Sequence, residues 1–229
     1  RSSSKGDKVM NREIEKITEV VLEVLKKYNA QIVEEDDLTI SIGISNRHLH
    51  LCQADLETLF GAGYELTPMK DLNQPGQYAC KETVTLAGPK GSIEKVRVLG
   101  PARSASQIEL LAGDNFTLGI HAPLRISGDT AGSAPVTVIG PKGSIYLKEG
   151  AIVAQRHIHM TPADAAKHGV KDGDVVSAEI LGERGGVLGN VIIRSNDKSA
   201  TECHLDIEEA NAFGVTAKTV LKIVRKFPV

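Results

Sequence analysis

From Asn11 to Tyr28, apolar side chains recur at Ile14, Ile17, Val20, Val21, Val24, Leu25 and Tyr28, with Glu and Lys between them. Steps of three and four residues place these on one stripe, so the segment reads as an amphipathic helix. Such a helix either packs on the body of the protein or detaches to dock on a partner. The acidic run Glu34-Glu35-Asp36-Asp37 follows it and reads as a solvated linker. Beyond residue 38 the pattern changes to short apolar runs punctuated by Gly and Pro: Leu38–Ile44, Val84–Leu86, Lys95–Leu99, Pro135–Ile139, Ser144–Leu147, Val175–Ile180 and Val187–Ile193. Runs of that length and spacing predict the strands of a barrel or sandwich.

Those runs belong to a repeat. Arg47-His48-Leu49-His50-Leu51 followed by Ala54-Asp55 recurs, 109 residues later, as Arg156-His157-Ile158-His159-Met160 followed by Ala163-Asp164. A second stretch matches at a step of 95, pairing Leu86 with Leu181, Val96 with Val191, Ser104-Ala105 with Ser199-Ala200, Leu110 with Leu205 and Gly119 with Gly214. The two steps differ by 14 residues, which places a longer excursion in the first copy around Thr67–Lys81, where Pro68, Asn73, Pro75 and Gly76 suit a loop. Gly-Pro-Lys-Gly-Ser-Ile, at 88–93 and again at 140–145, reads as a pair of turns with basic tips. The expected architecture is mainly β: two similar β-barrel-like domains from an internal duplication, with an N-terminal helix and short connecting helices. Their boundaries are expected at 1–37, 38–125 and 126–229.

Composition narrows the function classes. Charge is nearly balanced, 27 basic against 29 acidic residues, so a broad nucleic-acid surface is not expected. Aromatics make up 3% of the chain and Trp is absent, which argues against a base-stacking platform. Three cysteines without C-x-x-C spacing indicate neither a disulfide framework nor a zinc finger, and favour a reducing compartment. No apolar run of about 18 residues is present and no secretory signal is evident, so a soluble intracellular protein is expected. The chain opens on Arg1 rather than Met, which points to a trimmed terminus, with Met10 as another candidate start.

The candidate chemistry lies in the His-x-His pairs. Residues two apart on a strand share a face, so His48 with His50, and His157 with His159, each form a convergent pair of imidazoles. The step of 95 aligns Glu109 with His204, giving each copy a third ligand-type residue. Three ligands per site is the count of catalytic zinc with an open position, with cobalt, nickel or another divalent transition metal accepted by the same donors. Arg47 and Arg156 fall on the opposite strand face and are expected in structural ion pairs. Arg103, in the small-residue loop Pro101–Ser106, is placed to grip an anion such as phosphate. Lys90 and Arg97 either add cations for a polyphosphate ligand or are solvated face residues. Cys203 is expected to point away from His204 as a buried spectator. Walker A, Rossmann and Gly-x-Ser-x-Gly motifs are absent, so any chemistry is metal-centred.

Ser45-Asn46-Arg47-His48-Leu49-His50-Leu51, Gly100-Pro101-Ala102-Arg103, Gln155-Arg156-His157-Ile158-His159-Met160 and Cys203-His204-Leu205 together resemble the PduL-type phosphate acyltransferases, from about residue 40 to the C-terminus. The resemblance implies two β-barrel-like domains, two zinc ions per chain, and reversible transfer of an acyl group, propanoyl first, between coenzyme A and inorganic phosphate. By position it implies metal ligation by His48, His50, Glu109, His157, His159 and His204, and phosphate contact by Arg103. For coenzyme A it implies Ile44, Ser45, Asn46, Lys90, Arg97 and Asn211. It further implies a cytoplasmic location inside a bacterial microcompartment, reached through contacts of the N-terminal helix with shell or core proteins. A homo-oligomer is expected; membrane and nucleic-acid partners are not. The competing readings are a dinuclear metallohydrolase and a non-catalytic metal-binding scaffold.

Overall fold

The computed structural model describes residues 16–21 and 38–227. The chain divides into two units, Arg1–Leu38 and Thr39–Val229. In the first, residues 16–21 are helical and expose Ile17, Val20 and Val21. The remainder of the helix expected over Asn11–Tyr28, and the acidic linker after it, lie outside the described residues.

The second unit contains, in chain order, β1 (Ile40–Ser45), β2 (His48–His50), α1 (Gln53–Phe60), β3 (Pro68–Asp71), β4 (Tyr78–Ala87), β5 (Ser92–Gly100), β6 (Gln107–Leu110), α2 (Asp114–Leu118), β7 (Leu124–Arg125), β8 (Ala134–Ile139), β9 (Ser144–Ala154), β10 (His157–Met160), α3 (Pro162–Lys167), β11 (Val175–Ile180), β12 (Gly186–Ser195), β13 (Glu202–Asp206), α4 (Ile207–Ala212) and β14 (Val220–Phe227). Successive pairing of β4, β5, β2, β6, β9 and β8, with β8 returning to β4, closes one six-stranded barrel. β3 and β7 extend it beside β4 and β9. The second barrel closes through β11, β12, β10, β13, β1 and β14. The two rings run in the same order. In each, the His-x-His strand lies between a parallel neighbour (β5 or β12) and an antiparallel one (β6 or β13).

The sheets divide differently from the expected boundary between residues 125 and 126. β1 belongs to the second barrel, while β8 and β9 complete the first. Only Asn46 and Arg47 separate β1 from β2, and the two strands do not pair, so the chain passes directly from one barrel into the other. The same crossing occurs between β9 and β10, and the 109-residue step holds through it: Gly43 lies opposite His204, and Ile152 opposite Glu109.

Alternating burial along β4 and β8 shows the two-residue period that sends every second side chain inward. Two apolar cores result. Leu49, Leu86, Val98, Ile108 and Val138 fill the first, and Ile158, Val176, Ile193, Leu205 and Leu221 the second. Leu49 and Ile158, the middle residues of the His-x-His triplets, are wholly buried, so each triplet is anchored by its apolar member.

Short helices are tied down in matching ways. Ser106 donates to Asp55 at 2.5 Å in the first copy, and Thr201 to Asp164 at 2.6 Å in the second. Arg47 pairs with Asp114 and Arg156 with Glu209, each at 2.8 Å, which gives both arginines the structural ion pairs expected of them. The two Gly-Pro-Lys-Gly turns cap the β4–β5 and β8–β9 hairpins, with Gly88 donating to Gly91 and Gly140 to Gly143. The Lys90 and Lys142 amides donate to Leu118 and Leu59 at helix ends. A Cβ at Gly88 or Gly140 would lie 2.2 or 2.5 Å from those carbonyl oxygens, so the first glycine of each motif is required for the close approach.

Candidate functional site

The antiparallel registers place His48 opposite Glu109 and His157 opposite His204. With the i+2 partner on the same strand face, two groups assemble: His48, His50 and Glu109, and His157, His159 and His204. Within each, one ligand-type atom per residue lies within 4.8 Å of the others. His48 Nε2 is 3.5 Å from Glu109 Oε2, and His157 Nε2 is 3.1 Å from His159 Nε2. All six residues predicted as ligands are therefore brought together, three and three.

The surrounding hydrogen bonds prepare the rings. His48 Nδ1 is 2.8 Å from the Asn46 carbonyl, and His157 Nδ1 is 2.8 Å from the Gln155 carbonyl. A carbonyl only accepts, so each ring donates from Nδ1, and each Nε2 is the nitrogen turned toward its group. His50 Nδ1 and His159 Nδ1 are buried without a hydrogen-bond partner. An unsatisfied buried nitrogen costs on the order of 1–3 kcal/mol. Its recurrence at two equivalent positions fits rings arranged for a ligand rather than for each other.

Burial keeps three of the imidazoles neutral. Burial, followed by the charges of His48 and Arg103, lowers His50 to about 3. Burial, then His157 and His204, lowers His159 to about 3. Burial is also the chief cause bringing His157 to about 4. Burial would raise the Glu109 carboxyl, but His48 and the Ser127 hydroxyl outweigh it and hold it at about 2. His50, His157 and His159 are thus neutral and Glu109 ionised near pH 7, the protonation states in which such groups bind a divalent metal.

Arg103 is half-buried, its backbone N–H donating to the Leu51 carbonyl at 2.9 Å. Its guanidinium makes no hydrogen bond or ion pair among the described residues, while its charge reaches His50 and Glu109. Burial, and the like charge of Arg194, lower its pKa. The six positions implied for coenzyme A are more dispersed. Ile44 and Ser45 end β1, with Ser45 Oγ donating to the Leu205 carbonyl at 3.3 Å, and Asn46 is exposed just before His48. Asn211 is exposed on α4, which packs on β1 and β13. Arg97 lies opposite His48 in the register and donates to the Cys80 and Lys81 carbonyls. Lys90 is exposed at its hairpin tip, its stem lying over Gly119. Cys203 is buried in the second core, and burial pushes its thiol far up, as expected of a spectator.

Four residues escaped the sequence reading. Arg194 lies opposite His159 and donates to the Ser127 carbonyl at 3.4 Å. Ser127 Oγ donates to Glu109 Oε1 at 2.7 Å, so this short chain of contacts links the two groups. Gln107 donates to Glu109 Oε1 at 2.8 Å, and Glu202 accepts from His204 Nε2 at 2.8 Å. Burial would raise the Glu202 carboxyl, but hydrogen bonds from His204 and Asn73 hold it below the usual range. Gln107 and Glu202 were within reach of the sequence: they correspond at the step of 95 and stand two residues before Glu109 and His204 on the same strand face.

This geometry has relatives. The phosphate propanoyltransferase family profile matches residues 41–216. The chain belongs to that family. Phosphate propanoyltransferase of Rhodobacter capsulatus is 53% identical over 203 residues, covering 89% of this chain and 94% of the relative. The Thermotoga maritima enzyme of the same name is 51% identical over 186 residues, covering 81% and 89%. That of Clostridioides difficile is 45% identical over 210 residues, covering 92% and 98%. Membership makes the chain an acyltransferase acting between acyl-CoA and phosphate. Among its described residues, no helix is long and apolar enough to cross a membrane.

Proposed function

We propose that the chain converts acyl-CoA, propanoyl-CoA foremost, and inorganic phosphate reversibly into acyl phosphate and coenzyme A at a dinuclear zinc site formed by its two three-residue groups. The observation that carries this reading is the pair of equivalent groups, each with a buried, unpartnered histidine nitrogen, beside the unengaged guanidinium of Arg103. His48, His50 and Glu109 would hold one ion, and His157, His159 and His204 the other; nitrogen-rich donor sets of three suit zinc better than magnesium or calcium. Zinc bound there would supply Lewis-acid polarisation and a soft acceptor for sulfur.

The protein's own residues account for the rest. Arg103, with Arg194 near it, grips phosphate and offsets its charge as it approaches the thioester. A phosphate oxygen attacks the carbonyl carbon, the C–S bond breaks with its electron pair remaining on sulfur, and acyl phosphate and the coenzyme A thiolate result. Phosphate is already anionic near pH 7, so no general base is required, and orientation supplies much of the barrier reduction. Ile44, Ser45 and Asn46 lead directly into His48 and, with Asn211, Lys90 and Arg97, are the proposed coenzyme A contacts. The exposed Ile17, Val20 and Val21 support a docking role for the N-terminal segment, which we read as delivering a homo-oligomeric enzyme to a microcompartment. Removing residues 1–37 should then leave turnover intact and abolish co-sedimentation with shells; retained co-sedimentation would overturn that role.

Thiol release from propanoyl-CoA, followed with and without phosphate on zinc-loaded protein, tests the chemistry. Release should require phosphate; equal release without it would make the protein a hydrolase. Arg103→Ala should lower kcat/KM for phosphate on the order of 10²–10³-fold with zinc content unchanged. Normal phosphate saturation in that variant would remove Arg103 from the site.

A further inference from the structure

The excursion over Thr67–Lys81 has no counterpart in the second copy, and the chemistry above gives it no task. Its tip reaches the other barrel. Gln74, which is buried, donates to the Ala200 carbonyl at 3.1 Å and accepts from the Ala200 N–H at 3.3 Å. Asn73 Nδ2 donates to Glu202 Oε1 at 2.5 Å. The other oxygen of that buried carboxylate, Oε2, is 2.8 Å from His204 Nε2. A carboxylate oxygen only accepts, so the His204 ring donates from Nε2 and is held in orientation by Glu202.

Two further observations show that this contact is built. Gly43 lies opposite His204 on β1, and a Cβ there would stand 2.8–3.0 Å from the Glu202 carboxyl group. The equivalent residue in the first copy is Ile152, so the second copy leaves open the space that the carboxylate fills. The equivalent of Glu202 is Gln107, which holds Glu109 from the same position two residues earlier. Each third ligand is thus held by its strand neighbour, with polarity reversed: an amide donates to the carboxylate, and a carboxylate accepts from the imidazole. The buried charge of Glu202 needs a donor on its remaining oxygen, and the first copy's loop supplies it through Asn73.

We propose that Asn73 and Glu202 are positioning residues for His204, so that the loop carried by the first copy completes the metal-binding group of the second. This rests on the dinuclear reading above. Partners that orient a ligating histidine typically control metal affinity by 10–100-fold. The test is zinc stoichiometry and chelator competition on the full chain, with zinc alone as the probe. Wild type should hold two equivalents. Asn73→Ala, Glu202→Ala and Gly43→Ala should each weaken one equivalent roughly 10–100-fold and leave the other unchanged. Asn73 is exposed, so its variant should fold as wild type does. In a His204→Ala background, which loses one equivalent, Asn73→Ala should have no further effect on the remaining one. Wild-type affinity at both equivalents in Asn73→Ala and Glu202→Ala would overturn the proposal. Absence of zinc from wild type would overturn the dinuclear reading, and this proposal with it.

Discussion

At the residue scale, burial sets the chemistry. His50, His157 and His159 resist protonation because the hydration an imidazolium loses on burial outweighs what nearby acceptors such as Glu109, the Gln155 carbonyl and Glu202 return. Their folded-state values, about 3 to 4, lie below the unfolded imidazole value of about 6.5. Between those limits the unfolded chain binds protons that the folded chain does not, so stability rises with pH. Metal-stripped protein should therefore lose stability as pH falls from 7 to 5, by about 1–2 kcal/mol for each of His50 and His157. Urea midpoints at the two pH values check this, and an unchanged midpoint would mean that these rings are solvated. The identities of the six ligand-type residues were legible in the sequence because two-residue spacing dictates a shared strand face. Arg194 was not: its counterpart at the step of 95 is Leu99, so the repeat carries no sign of it.

At the element scale, the duplication persists as matched fastenings with local differences. Thr161 caps α3 by accepting from the Asp164 N–H at 3.1 Å, whereas its equivalent Cys52, at the start of α1, makes no side-chain cap. Cys52 has the extended backbone that a capping residue needs, with φ −79° and ψ 161°. Cys52→Thr should stabilise the protein by roughly 0.5–1 kcal/mol, read as a rise in the urea midpoint. A fall would mean that the thiol packs better than a hydroxyl bonds. The turn character of Gly-Pro-Lys-Gly was readable from composition. Its docking on helix ends was not, because the accepting carbonyls of Leu118 and Leu59 lie far away in sequence.

For the second unit as a whole, one barrel is inserted into the chain of the other: the first runs unbroken from β2 to β9, while the second joins β10–β14 to β1 on the far side of it. The ring containing His157 cannot close without β1, nor the ring containing His48 without β8 and β9. Leu49→Ala and Ile158→Ala, at equivalent positions in separate cores, should each cost about 2–5 kcal/mol. Both should shift one common unfolding transition followed by circular dichroism. Two separable transitions would show that the barrels unfold independently. What the sequence determined by itself was local and periodic: the β-rich class, the repeat, the faces of the His-x-His strands, and the candidate ligands. The tertiary structure alone decided which barrel each strand completes, that Arg194 reaches Ser127 beside Glu109, and that Asn73 reaches Glu202. The reason is physical: periodicity records which way a side chain points, whereas barrel closure and buried hydrogen bonds depend on partners far apart along the chain, which its spacing does not encode.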